Sequence, residues 1–220
     1  MERNNGCAVP QITFVALIAI VVLFVPLAAL AGSKSKGQVT PEIHPDMLVE
    51  IPGLEVEKVQ KPCDNWAWWA AVQSVFEQQN LPLSQSFFVD RSDGGACWNN
   101  DDHPLNLYDV ASAATGDYAL PNGRRFHSEV SLGPTAVPAP MIVKALRAGR
   151  PLVMVWQKRP YVVQGILFDD KVFPGGQHSF FAKEVHLIDP TDGKPVKLTL
   201  DEQNVGEVVG VMDVVITQTK

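Results

Sequence analysis

The chain opens on one long apolar run and later breaks into short ones, and the spacing of apolar positions changes on the way. Residues 1–10 are mostly polar and carry Arg3. From Ile12 to Ala31 only Thr13 is polar, and Pro26 interrupts the run near its end. The run closes on Ala29-Leu30-Ala31, small residues two apart, followed by Gly32 and Ser33. That is the pattern a signal peptidase reads. A run of about 20 apolar residues is also long enough to cross a bilayer core as a helix. Residues 1–31 therefore read as a signal peptide, with an uncleaved membrane anchor over residues 12–31 as the alternative. No cysteine closely follows the run, so a lipoprotein anchor is not indicated. Either way the remainder is expected outside the cytoplasm, periplasmic or extracellular.

Residues 32–50 mix Lys, Ser, Gly, Pro and charge and read as a linker or arm. The domain is expected over 51–220. A helix starts at Asp64 or Asn65, either of which can cap it. Trp68, Trp69, Val72, Val75 and Phe76 follow at helical spacing, and Asn80 and Pro82 end it. Shorter helices are expected over Leu83 to Arg91, around Leu107 to Ala114, and over Pro140 to Ala148, with Gly149 in the stop position. Residues 117–138 look irregular. Beyond Gly149 the runs become short and rich in valine: Pro151 to Trp156, Tyr161 to Phe168, Glu184 to Ile188, Val196 to Leu200 and Val208 to Thr217. Helices followed by strands predict an α+β fold, with an N-terminal helical half packed on a C-terminal antiparallel sheet.

Removing the signal leaves about 190 residues, enough for one domain with a real core. The net charge of −6 and the lack of a Lys/Arg cluster argue against a nucleic-acid partner. Seventeen prolines and 16 glycines imply many loops. Of the three cysteines, Cys7 lies in the signal, leaving Cys63 and Cys97 in an oxidising compartment, where a disulfide is the default expectation. Such a bridge would close a loop of about 35 residues and contribute about 3 to 4 kcal/mol by the chain-entropy model.

The stretch Gln60-Lys61-Pro62-Cys63-Asp64-Asn65-Trp66-Ala67-Trp68-Trp69-Ala70-Ala71 resembles the active-site helix of papain-like cysteine peptidases. It is most similar to a bacterial group whose motif runs Asn-Trp-Cys-Trp-Ala-Ala. Gln73 and Ser84-Gln85 keep that group's spacing, and Ala148 to Trp156 looks like its Gly-Arg-Pro strand. Tyr161 to Gly165 and Val185 to Pro190 look like its histidine-bearing and closing Asp-Pro strands. The resemblance spans roughly residues 55–192 and implies a papain-like fold. In such a site a thiolate at a helix N-terminus is stabilised by the helix dipole and an imidazolium. The histidine shuttles the proton, a third group orients it, and a glutamine donates to the oxyanion.

Residue by residue, this chain departs from that pattern. The nucleophile position falls on Ala67. The histidine position falls on Arg159, with Pro160 as the one-residue alternative. Arginine stays protonated and cannot act as a base. Asp189 keeps the orienting position, and Gln60, one residue further out than usual, corresponds to the oxyanion position. The resemblance therefore implies a degenerate homologue, a pseudoenzyme, in which Arg159 is free to pair with Asp189.

Cys63 is either half of the bridge to Cys97 or a displaced nucleophile. His178 and His186 could replace the missing base or join Asp189 at a metal, but both read more simply as strand and loop residues. His44, His103 and His127 read as surface groups. Trp66 is the ligand-contact candidate among the tryptophans, the others reading as core. Asp189 and Asp192 sit in a plain turn rather than a calcium loop. No cofactor and no metal are expected. Three functions remain: a non-catalytic protein holding a peptide or protein ligand, an active thiol peptidase using Cys63, or an envelope-assembly protein with a filled cleft. The membrane enters only through the N-terminal segment, if that segment is retained.

Overall fold

The computed structural model describes residues 40–60, 63–92, 105–133 and 137–219. The apolar run and Cys97 lie outside them. Among the described residues, no helix is long and apolar enough to cross a membrane.

Among the described residues, eight strands form one antiparallel sheet: β1 (Glu42–Glu50), β2 (Gly116–Ala119), β3 (Arg125–Gly133), β4 (Leu152–Trp156), β5 (Arg159–Val172), β6 (His178–Ile188), β7 (Pro195–Thr199) and β8 (Val208–Thr219). Their order is β2-β3-β8-β4-β5-β6-β7, and β1 pairs with the far part of β5. The helices are α1 (Asp64–Gln78), α2 (Gln85–Arg91), α3 (Leu107–Ala114), α4 (Ala139–Arg147) and α5 (Glu202–Gly206).

The mixed helix and antiparallel-sheet architecture is as expected, but the division into a helical half and a strand half is not. Residues 42–50, read as linker, are β1, and the stretch read as irregular holds β2 and β3. In β1 the bulge at Pro45-Asp46 breaks the alternation, with Asp46 at φ 54°. Pairing with β5, rather than local pattern, makes it a strand. In β3 the inward positions include Ser128 as well as Phe126, so the apolar signal is thin.

α1 is apolar nearly all round and correspondingly buried: Trp69, Ala70, Ala71, Val72, Val75 and Phe76 are all 0% exposed. Asn80 ends the helix in the left-handed region at φ 63°. The Gln79 side chain then donates to Val214 O at 2.9 Å and accepts from Ile216 N at 3.1 Å, tying the helix end to β8. α4 ends in a Schellman motif. Gly149 is at φ 72°, its amide donates to Leu146 O, and the Arg150 amide reaches Ala145 O.

Two glycines identify the faces of the sheet. A Cβ on Gly133 would meet Pro138 and Met141 beside α4, whereas one on Gly210 would meet Leu107 of α3. Gly133 lies opposite Val211, the neighbour of Gly210 on β8, and neighbours along a strand point to opposite faces. α4 therefore covers one face and α3 the other. α1 and α2 join the α3 layer through Trp69 stacked on Phe88 and through Phe76 and Phe87 against Tyr118. The Tyr118 hydroxyl donates to Ala114 O.

Candidate functional site

The positions named by the motif lie at the start of α1, at the hairpin end of β5 and in the turn after β6. Cys63 is the residue before α1, in extended conformation, and Ala67 sits half-buried on the helix's first turn. The segment leading into the helix is fixed by backbone contacts. Glu57 N donates to Ser74 Oγ at 2.8 Å, and Val59 N donates to Pro190 O at 3.1 Å. Buried Gln85 satisfies both ends of its amide there, donating to Lys58 O and accepting from Gln60 N. Gln60 is thus held by its backbone, with its side chain exposed. The Val59 contact places this segment one residue from Asp189.

Asp189 follows β6 in a turn closed by Gly193 N to Asp189 O at 2.8 Å. Its Oδ1 accepts from Thr191 N, and its Oδ2 lies 3.4 Å from Arg159 Nη2. The same guanidinium nitrogen donates to Thr191 Oγ1 at 3.2 Å. The expected Arg159–Asp189 pair is therefore present, with Arg159 half exposed and Asp189 largely covered. Burial pushes the neighbouring Tyr161 phenol up, and the Arg159 charge opposes that shift.

Register separates Arg159 from Pro160. Gly210 pairs with Val155, and Val155 with Pro160. Pro160 therefore shares the face of α3 and α1, whereas Arg159 and Tyr161 turn to the face of α4. The groups at these positions are a methyl, a proline ring and a guanidinium. None of them accepts a proton at neutral pH.

Trp66 is 3% exposed. This corrects its reading as a ligand contact, because the side chain is part of the core. Cys63 is 5% exposed and engaged, and its expected partner Cys97 lies outside the described residues. The two histidines find carboxylates away from the motif positions. His178 Nδ1 is 2.9 Å from Asp170 Oδ2, and His186 Nε2 is 2.7 Å from Glu184 Oε1. Lys197, followed by His186, holds the Glu184 carboxyl below its usual range. No cluster of metal-ligating side chains occurs among the described residues. Glu57 is raised by burial and then by Glu77 beside it.

One motif residue gains a role that the sequence did not assign. Arg150, of Gly149-Arg150-Pro151, makes a two-pronged pair with Asp213, Nη2 to Oδ2 at 3.1 Å and Nε to Oδ1 at 3.4 Å, bracing β8 from inside. Cavities of about 550 Å³, at Arg91, Leu105 and Ser112, and about 430 Å³, at Gln157, Glu207 and Val209, are lined by none of the motif positions.

No family model matches the chain, and no curated protein matches it. Among solved structures it is similar to a double glycine motif protease from an AMS/PCAT transporter in complex with the leader peptide. The TM-score is 0.41 and the identity 13%, over 83% of this chain and 100% of that one. A likeness of that size decides neither activity nor ligand.

Proposed function

We propose that this chain is an exported papain-like cysteine peptidase homologue that has lost catalysis and binds a peptide or protein ligand in the cell envelope. The observation that carries the reading is that neither position the motif offers for the histidine can act as a base: Pro160 shares the face of α1, and Arg159, turned to the other face, is paired with Asp189. An orienting carboxylate that would serve a histidine is instead occupied by a permanently charged guanidinium. The alanine on the first turn of α1 supports it, because a methyl group cannot attack a carbonyl. The order of the motifs along residues 55–192 supports the family and, with it, a cleft that holds an extended chain. Export rests on the apolar run ending in Ala29-Leu30-Ala31.

The competing reading makes Cys63 a displaced nucleophile. A bridge from Cys63 to Cys97 removes it, and the buried, engaged state of the Cys63 sulfur supports that bridge. The test is a thiol count with intact mass before and after reduction, alongside a peptide-cleavage assay. The expected result is no free thiol, a mass gain of two hydrogens on reduction, and no cleavage. A Cys63 that alkylates quickly at mildly acidic pH, with turnover lost in Cys63→Ser, would overturn the proposal.

A further inference from the structure

The segment that leads into α1 carries a pair of carboxyl groups that the motif positions do not use. Glu57 N donates to Ser74 Oγ at 2.8 Å, and that hydroxyl donates on to Ala70 O at 2.7 Å. Ser74 and Glu77 are three apart on α1 and share a side of the helix. Glu57 is therefore set down beside Glu77, and the two carboxyl groups stand within hydrogen-bond reach of each other. Glu77 is held in place from below. Gln73, only 6% exposed, donates its Nε2 to Glu77 Oε1 at 2.7 Å. Glu57 itself is exposed, so a proton reaches it directly from solvent.

Two carboxylates in contact repel when both are charged, and bind each other when they hold one proton between them. Among the described residues, the charged groups that face Glu57 are Glu77 from α1 and Glu55 from its own segment, both acidic. Lys58, the next residue, turns away. It lies across Gly193 and towards Asp192, in the turn after β6. Partial burial first, then Glu77 and last Glu55, push the Glu57 carboxyl above its ordinary 4.5.

We infer that Glu57 and Glu77 form an acid-closed latch, in which one shared proton holds residues 57–60 on α1 and loss of that proton at neutral pH loosens them. The sign follows from linkage. A carboxyl raised in the folded state adds stability that is complete below pH 4.5 and is lost as the pH rises through the raised value. The segment so held ends on Gln60, whose amide donates to Gln85 Oε1 just ahead of α1. Mild acid therefore firms the approach to the start of α1, and neutral pH relaxes it. The latch works in this way whatever the chain binds.

The test is amide hydrogen exchange on the full chain in detergent, read at Glu57 and Val59, whose amides bond Ser74 Oγ and Pro190 O. Ile51, whose amide bonds Gln164 O just upstream, is the internal reference. After correction for intrinsic exchange rates, protection at Glu57 and Val59 relative to Ile51 should rise about tenfold between about pH 7 and about pH 4, near the lower end for one hydrogen bond to a charged group. Glu57→Gln, a permanent donor to Glu77, should show the acid level at both pH values. Glu77→Ala should remove the response altogether. No rise on acidification in the native chain, or a response that survives in Glu57→Gln, would overturn the inference. So would protection that is gained at neutral pH on adding calcium and lost in chelator, because the shared group would then be a cation and not a proton.

Discussion

The two ends of β5 are one strand in two environments. From Pro160 to Val163 every residue is buried, although neighbours point to opposite faces, because α1 lies on one side and α4 on the other. The sequence there is a near-continuous apolar run, as doubly covered strands require. Past Gly165, among the described residues, the α4 face stays closed and the other opens: Ile166 and Phe168 are 0% exposed, while Leu167, Asp169 and Lys171 are partly open. The first end is a sealed core capped by a half-exposed ion pair, and the second is a ledge. The contrast teaches that, among the described residues, the helices laid on β5 rather than the length of the strand set where its face opens.

The sharpest way to break the contrast is a pair of truncations. Trp69→Ala, in the covered layer and stacked on Phe88, should lower unfolding free energy by about 3–5 kcal/mol. Leu48→Ala on the ledge should change it by less than about 0.5 kcal/mol. Urea unfolding followed by tryptophan fluorescence measures both, and equal losses would mean that the ledge is covered after all. Gln85→Ala comes next. It strips partners from Lys58 O and Gln60 N in a buried position, so a loss of about 1–3 kcal/mol is expected. Loosening before α1 should show as faster amide exchange at Gln60.

Much of the covered end was legible in sequence, because α1, α4 and the valine-rich strands bury what they show. The Arg159–Asp189 pair was within reach too, since the motif put Arg159, or Pro160 beside it, and Asp189 at corresponding positions. The ledge was not. β1 carries a bulge and mostly exposed residues, so its pattern is that of an arm, and only β5 makes it a strand. Trp66 misled for the opposite reason: an indole at a helix start fits a cleft wall as well as a core, and packing chose the core. Which of Arg159 and Pro160 faces α1 depended on a register that no local pattern contains.

Smaller effects remain. Asp189→Asn should cost only about 0–1 kcal/mol, because Arg159 is half exposed and the asparagine keeps an oxygen for Thr191 N. A larger loss in thermal unfolding would mean that the ion pair, and not the surrounding packing, seals that end. At alkaline pH the covered layer should respond through Tyr118, whose phenol burial pushes up to about 12 from 10.0. Its contribution to stability is complete below pH 10 and lost as the pH rises through 12, because the unfolded chain gives up this proton first. Tyr118→Phe should flatten stability against pH in that window.

β8 lies between β3 and β4 and pairs with both, so residues 208–219 occupy the middle of the sheet. A growing chain that has reached residue 207 holds β3 and β4 with nothing to join them, each offering an unpaired edge. Pairing Arg125 with Thr219 also closes a long loop, which slows folding. Placing β8 therefore joins the two parts of the sheet in one closure, and until it is in place the facing edges of β3 and β4 are open to pairing with other chains.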